Sequence, residues 1–151
     1  LGLVSRDVPF GESLRTTKKV LYSLQDPTLA FYYGTFLAVR SRWPMLTNRE
    51  KAAALHRHAA RQWEEFCRQA HPGAGRYWEK DVELDLVWRQ PTSAKRALVA
   101  ECTWARLTAH EEQAELRRLR DMFGRTKLSR SLERVEFRVF TKKDLPRLAR
   151  E

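Results

Sequence analysis

The chain has 151 residues, 42% of them hydrophobic and 32% charged, which is an ordinary globular composition with enough apolar material for one core. No apolar run approaches the roughly 18 residues of a membrane-spanning helix, and no signal-peptide pattern is visible. Lys and Arg outnumber Asp and Glu by 29 to 19, a net charge of +10 that favours an anionic partner, nucleic acid first, although the charge is dispersed along the chain.

Leu1-Gly2-Leu3-Val4 reads as the end of a structural element, which suggests a segment cut from a longer, cytoplasmic protein. The mixed stretch to residue 24 reads as extended or turn-rich. Asp26-Pro27 opens a helix, with Asp26 as its cap and Pro27 at the first helical position. Leu29, Tyr32, Tyr33 and Phe36 recur at helical spacing, so an aromatic helix is expected over 27–40, closed by Pro44. Thr47-Asn48-Arg49-Glu50 fits a capping box, and a long helix should follow to about residue 70. Its expected apolar stripe is Ala52, Leu55, Ala59, Trp63, Phe66 and Ala70, ended by His71-Pro72-Gly73. Arg40, Arg42, Arg49, Lys51, Arg57 and Arg61 cluster along these segments and could contact phosphate. A solvated face is the default for them, and His56 and His58, whose spacing of two rules out a helical metal pair, are expected at the surface.

Strands follow. Tyr77-Trp78 is short. Val82, Leu84, Leu86 and Trp88 alternate with Glu83, Asp85 and Val87, placing Asp85 on the opposite face. A turn over 90–95 leads to a second apolar strand from Ala97 to Cys102. Thr108-Ala109-His110-Glu111 caps a helix carrying Leu116, Leu119 and Phe123. Val135, Phe137 and Val139 mark a last strand, and Thr141 to Asp144 caps a short closing helix. Cys67 and Cys102 both lie in apolar segments, and buried thiols fit better there than a disulfide. The resulting class is α/β, a mixed central sheet flanked by helices.

Asp85 and Glu101 stand on neighbouring strands, and two such acids can hold a hard divalent cation such as Mg²⁺ through oxygen. Glu101 follows Leu98-Val99-Ala100, where an unpaired carboxylate is costly. A salt bridge with Arg106 is the bland explanation. Glu64, at the border of the buried helix stripe, could reach the same sheet edge, or be a solvated helix residue. Thr103 shares the face of Glu101.

Helix glutamate, strand aspartate, hairpin and then Glu-x-Lys is the pattern of the PD-(D/E)xK nuclease superfamily, which this arrangement resembles. Val8-Pro9-Phe10-Gly11-Glu12, Tyr22-Ser23-Leu24-Gln25-Asp26, Trp63-Glu64-Glu65-Phe66-Cys67, Glu83-Leu84-Asp85 and Ala100-Glu101-Cys102-Thr103-Trp104 look more closely like the C-terminal domain, of unknown function, of archaeal-type AAA/STAND ATPases. The resemblance implies a restriction-endonuclease-like core (α-β-β-β-α-β) over 47–151. Residues 1–46 would be an N-terminal extension made of a winged-helix tail and the aromatic helix. It also implies ATPase and winged-helix domains elsewhere in the same protein. Glu64, Asp85, Glu101 and Thr103 take the catalytic positions, with Asp85 and Glu101 as metal ligands. The family's lysine is Thr103 here, and losing one such electrostatic group costs on the order of 10²–10³ in rate. Arg106 and Lys80 are the nearest basic substitutes in sequence.

Three functions follow: a nucleic-acid-binding module, with DNA as the expected ligand and Arg40, Arg42, Arg49, Lys51 and Arg106 as contacts; an active Mg²⁺-dependent nuclease with a relocated basic residue; or a scaffold for protein interaction, a homodimer included.

Overall fold

The computed structural model describes residues 2–92 and 96–149. Leu1 and the 93–95 half of the expected turn lie outside the described residues.

The chain opens with β1 (Val4–Asp7) and β2 (Leu21–Leu24), paired antiparallel and tied through the Ser5 and Ser23 hydroxyls and Asp7. In α1 (Pro27–Phe31), Asp26 Oδ1 accepts from the Leu29 N–H at 2.8 Å, and Pro27 occupies a position that needs no donor. The expected single helix over 27–40 is broken into three registers. After Phe31 the spacing widens to a π turn at Tyr32–Phe36 and then tightens to a 3-10 turn at Leu37–Val39. Across these changes of register Phe31 and Phe36 both pack edge-on to Trp43, at 6.1 and 5.3 Å between centroids. Pro44 lies within a further 3-10 turn, Trp43–Met45, rather than closing the region.

The capping box of Thr47 and Glu50 starts α2 (Asn48–Gln69) as expected. Its buried residues are Ala54, Trp63 and Cys67. Trp63, Phe66 and Ala70 of the expected stripe do pack inward, whereas Ala52 and Leu55 are exposed. The N-terminal half of the helix faces the extension instead of the sheet: His58 packs on Phe31 at 5.3 Å, and Arg61 bonds the Thr35 hydroxyl at 3.3 Å. His58 is therefore half-buried, not a plain surface residue, and burial lowers its pKa.

The main sheet has the order β3 (Gly75–Glu79), β4 (Val82–Arg89), β5 (Arg96–Thr103), β6 (Arg134–Thr141). The first two pairings are antiparallel and the last is parallel, which requires a crossover; α3 (Ala109–Gly124) provides it. Leu119 and Phe123 of α3 pack with Leu84, Val87 and Val99 on one face. Trp63 and Cys67 of α2 pack with Leu86, Leu98, Ala100 and Phe140 on the other. This is the expected mixed sheet between helices. Trp63 Nε1 also donates to the Phe140 carbonyl at 3.2 Å. The Thr141–Asp144 capping box leads into α4 (Leu145–Leu148). No helix among the described residues is long and apolar enough to cross a membrane.

β4 departs from plain alternation. Gly75 pairs with Val87 and Tyr77 with Leu84, so two steps along β3 face three along β4, a one-residue bulge. Val82 and Leu84 join the α3 core, while Leu86 and Trp88 pack toward α2. The expectation that all four share one face, with Asp85 opposite, is corrected: the phase slips at Asp85, because the extra residue resets the period of two.

Candidate functional site

Asp85 sits at the bulge, beyond Leu86–Ala100, the last pair of the β4–β5 ladder. Its Oδ2 accepts from the backbone N–H of Cys102 at 2.8 Å, so a side chain stands in for a ladder bond. Its own carbonyl accepts from Arg68 Nη1 of α2 at 3.0 Å, which holds the irregular backbone from the other side.

Glu101 and Thr103 continue the Val99 row of β5. They line a 130 Å³ cavity with Leu107, Glu115 and Arg118. Glu101 Oε1 accepts from Arg118 Nη2 at 2.9 Å, so the ion-pair partner is Arg118 of α3 and not Arg106, which is exposed in the loop after β5. The basic group beside Thr103 is likewise Arg118. Lys80 is in the β3–β4 turn, at a φ of 53°. Sequence reasoning missed Arg118 because a helix crossing returns it over 17 residues. The available signal was its i,i+3 spacing from Glu115, whose Oε2 accepts from Arg118 Nε at 2.8 Å.

Glu64 lies on α2 with Arg76 Nη2 at 3.6 Å and Arg68 Nη1 at 4.0 Å. It lines a separate 240 Å³ cavity with Arg61, Arg68 and Arg76, closed by Asp7, Ser23 and Gln25 of the extension.

All three carboxyls are pushed up, with burial as the first cause in each. Glu64 rises to about 7; the charge of Asp85 adds to burial, and Arg76 and Arg68 oppose it. Glu101 rises to about 7; Asp85 again adds, and Arg118 opposes. Asp85 rises despite the Cys102 N–H and Arg76. Both glutamates feel Asp85, which places it electrostatically at the middle of the set. Among the described residues, however, no three His, Cys, Asp or Glu side chains form a group that could hold a metal ion.

Mg²⁺ keeps several waters and needs only one or two carboxylates. Asp85 and Glu101 each commit one oxygen, Oδ2 and Oε1, leaving the other of each without a partner among the described residues. Half-buried acids that repel one another are stabilised by a dication. Glu64 pairs through Oε2 with Arg76 and Arg68, and the same two arginines act on Asp85. Cys67 and Cys102 are free buried thiols; their mutual hydrogen bond, then burial, push the Cys102 thiol up and keep it unreactive.

Over residues 27–62 the six basic side chains meet one acid, Glu50, which is committed to the Thr47 cap. Arg40, Arg42, Arg49 and Arg57 are exposed and Lys51 is half-buried; none of the five makes an ion pair among the described residues. Tyr32 and Tyr33 are exposed on the same segment.

No curated protein and no solved structure matches the chain. Residues 44–115, which hold Glu64, Asp85, Glu101 and Thr103, match the family model DUF234, described as Archaea bacterial proteins of unknown function.

Proposed function

We propose that the chain is a nucleic-acid-binding domain of nuclease-like design, with DNA as its ligand, a divalent-cation site at Asp85 and Glu101, and weak or absent turnover. The observation that carries the binding is the exposed basic surface of Arg40, Arg42, Arg49 and Arg57, which make no ion pair among the described residues, beside exposed Tyr32 and Tyr33. Phosphates would displace counterions from these groups, and the tyrosine rings offer faces on which bases stack. Mg²⁺, when bound, supplies a Lewis acid that stabilises charge on a phosphate oxygen. Asp85, oriented by the Cys102 N–H, and Glu101 would hold it. Thr103 brings a hydroxyl and no charge to the lysine position, which is the reason for expecting weak turnover. The resemblance to AAA/STAND C-terminal domains makes an ATPase and a winged helix of the same protein its intramolecular partners. Fluorescence anisotropy with labelled single- and double-stranded DNA at low salt tests this. Saturable binding is expected, and none to either strand form would overturn it.

An active Mg²⁺-dependent nuclease is the second reading, favoured by Arg118, which brings positive charge into the cavity of Glu101 and Thr103. DNA cleavage with Mg²⁺ or Mn²⁺ that disappears in Asp85→Asn supports it; cleavage no faster than that variant removes it. A homodimerising scaffold is favoured by exposed Met45 and Leu55, and sedimentation across a concentration series would detect it.

A further inference from the structure

The Glu101–Arg118 pair is built asymmetrically. Glu101 is only 20% exposed, fixed on β5 beside Thr103, while the Arg118 side chain is 54% exposed on α3. The guanidinium makes two separable contacts. Nη2 reaches Glu101 at 2.9 Å, and Nε is held by Glu115 Oε2 at 2.8 Å. Breaking the first leaves the second in place, so the guanidinium can leave Glu101 without leaving the cavity. An ion pair with one partner this exposed contributes little.

We propose that the Glu101–Arg118 pair is exchangeable: a divalent cation takes Glu101 from Arg118, and the guanidinium, still tethered to Glu115, turns to a phosphate oxygen of the incoming nucleic acid. This rests on the cation site proposed above at Asp85 and Glu101. The chemistry suits both halves. A hard cation prefers carboxylate oxygen, and the planar guanidinium fork suits phosphate. Thr103 adds no charge at the lysine position of β5, so Arg118 is the cationic side chain lining the cavity. The competing explanation is a static pair that merely fastens α3 to β5.

Isothermal titration of Mg²⁺ into the whole chain separates the two. The set is wild type, Arg118→Ala, and Arg117→Ala as a control for losing one exposed charge from the same helix. Arg118 is exposed enough for alanine to leave the fold intact, which a thermal melt checks. Exchange requires Arg118→Ala to bind Mg²⁺ about fivefold tighter than wild type, with Arg117→Ala within about twofold of it. It also requires Mg²⁺ to strengthen binding of a labelled oligonucleotide in wild type and not in Arg118→Ala. Equal or weaker Mg²⁺ binding by Arg118→Ala overturns the exchange and leaves the cation site standing. No Mg²⁺ binding by any of the three overturns the cation site and the exchange with it.

Discussion

The carboxylate of Asp85 and the backbone N–H of Cys102 are joined by a 2.8 Å hydrogen bond at the point where the β4–β5 ladder has ended. The bulge in β4 costs a regular rung and puts an acid in its place. One side chain thus terminates the pairing and brings negative charge to the end of the sheet, next to Glu101. Structure and proposed chemistry meet in this residue, and substitutions can pull them apart.

Asparagine at position 85 keeps an oxygen acceptor for the Cys102 N–H and loses the charge. Asp85→Asn is therefore expected to be as stable as wild type at pH 7 within about 1 kcal/mol, or more stable, because burial disfavours the charged form it replaces. Asp85→Leu leaves a buried N–H unpaired and should cost about 1–3 kcal/mol. Urea denaturation of the two variants checks this. Equal destabilisation would mean that the hydrogen bond does not hold the bulge.

Stability should fall as pH rises from about 5 to 8. Glu64 and Glu101 stand at about 7 in the folded chain against an ordinary 4.5, so the unfolded chain gives up these protons first. Their contribution is complete below about pH 4.5 and is lost as the pH passes through about 7. Glu79, held at about 2 by the Lys127 side chain and Tyr77, acts in the opposite sense as the pH falls from about 4.5 toward 2, and His58, lowered by burial, opposes the two glutamates within the window. Glu101→Gln removes one of the two titrations. It should match wild type near pH 4.5 and exceed it by about 1 kcal/mol at pH 8. Denaturation midpoints across that range decide the matter, and parallel curves for the two proteins would contradict it.

Much of the fold is legible locally. Asp26, Thr47, Thr108 and Thr141 cap their helices as their spacing implies, since a cap is settled within four residues. What escaped depends on contacts distant in sequence. Nothing in Glu83-Leu84-Asp85-Leu86 marks a bulge, because the extra residue exists only relative to β3. The stripe through Ala52 and Leu55 has helical period, yet that half of α2 meets the extension, and periodicity does not say which neighbour a face will meet. Of the candidate site, Glu101 and Thr103 share a face and a cavity as their spacing requires. Arg118 was hidden because α3 carries other arginines, and only the crossover selects one.

Trp63 ties α2 to the far edge of the sheet through Nε1 and the Phe140 carbonyl, and it is 2% exposed. Trp63→Phe keeps an aromatic ring but removes the donor and some volume, for an expected loss of about 1–3 kcal/mol. The urea midpoint should shift with an unchanged slope. A change below about 0.5 kcal/mol would show that the bond is replaced by another.

The central claim is nucleic-acid binding by the extension and the start of α2. Its most direct test is the salt dependence of DNA affinity for wild type and for a variant with Arg40, Arg42, Arg49 and Arg57 all changed to Gln. For wild type, the logarithm of the affinity should fall linearly with the logarithm of salt concentration. In the variant, binding should be weaker and the slope shallower by about 0.9 for each duplex phosphate contact removed. A variant that binds as tightly and with the same slope as wild type, or a wild type whose affinity ignores salt, would contradict the account.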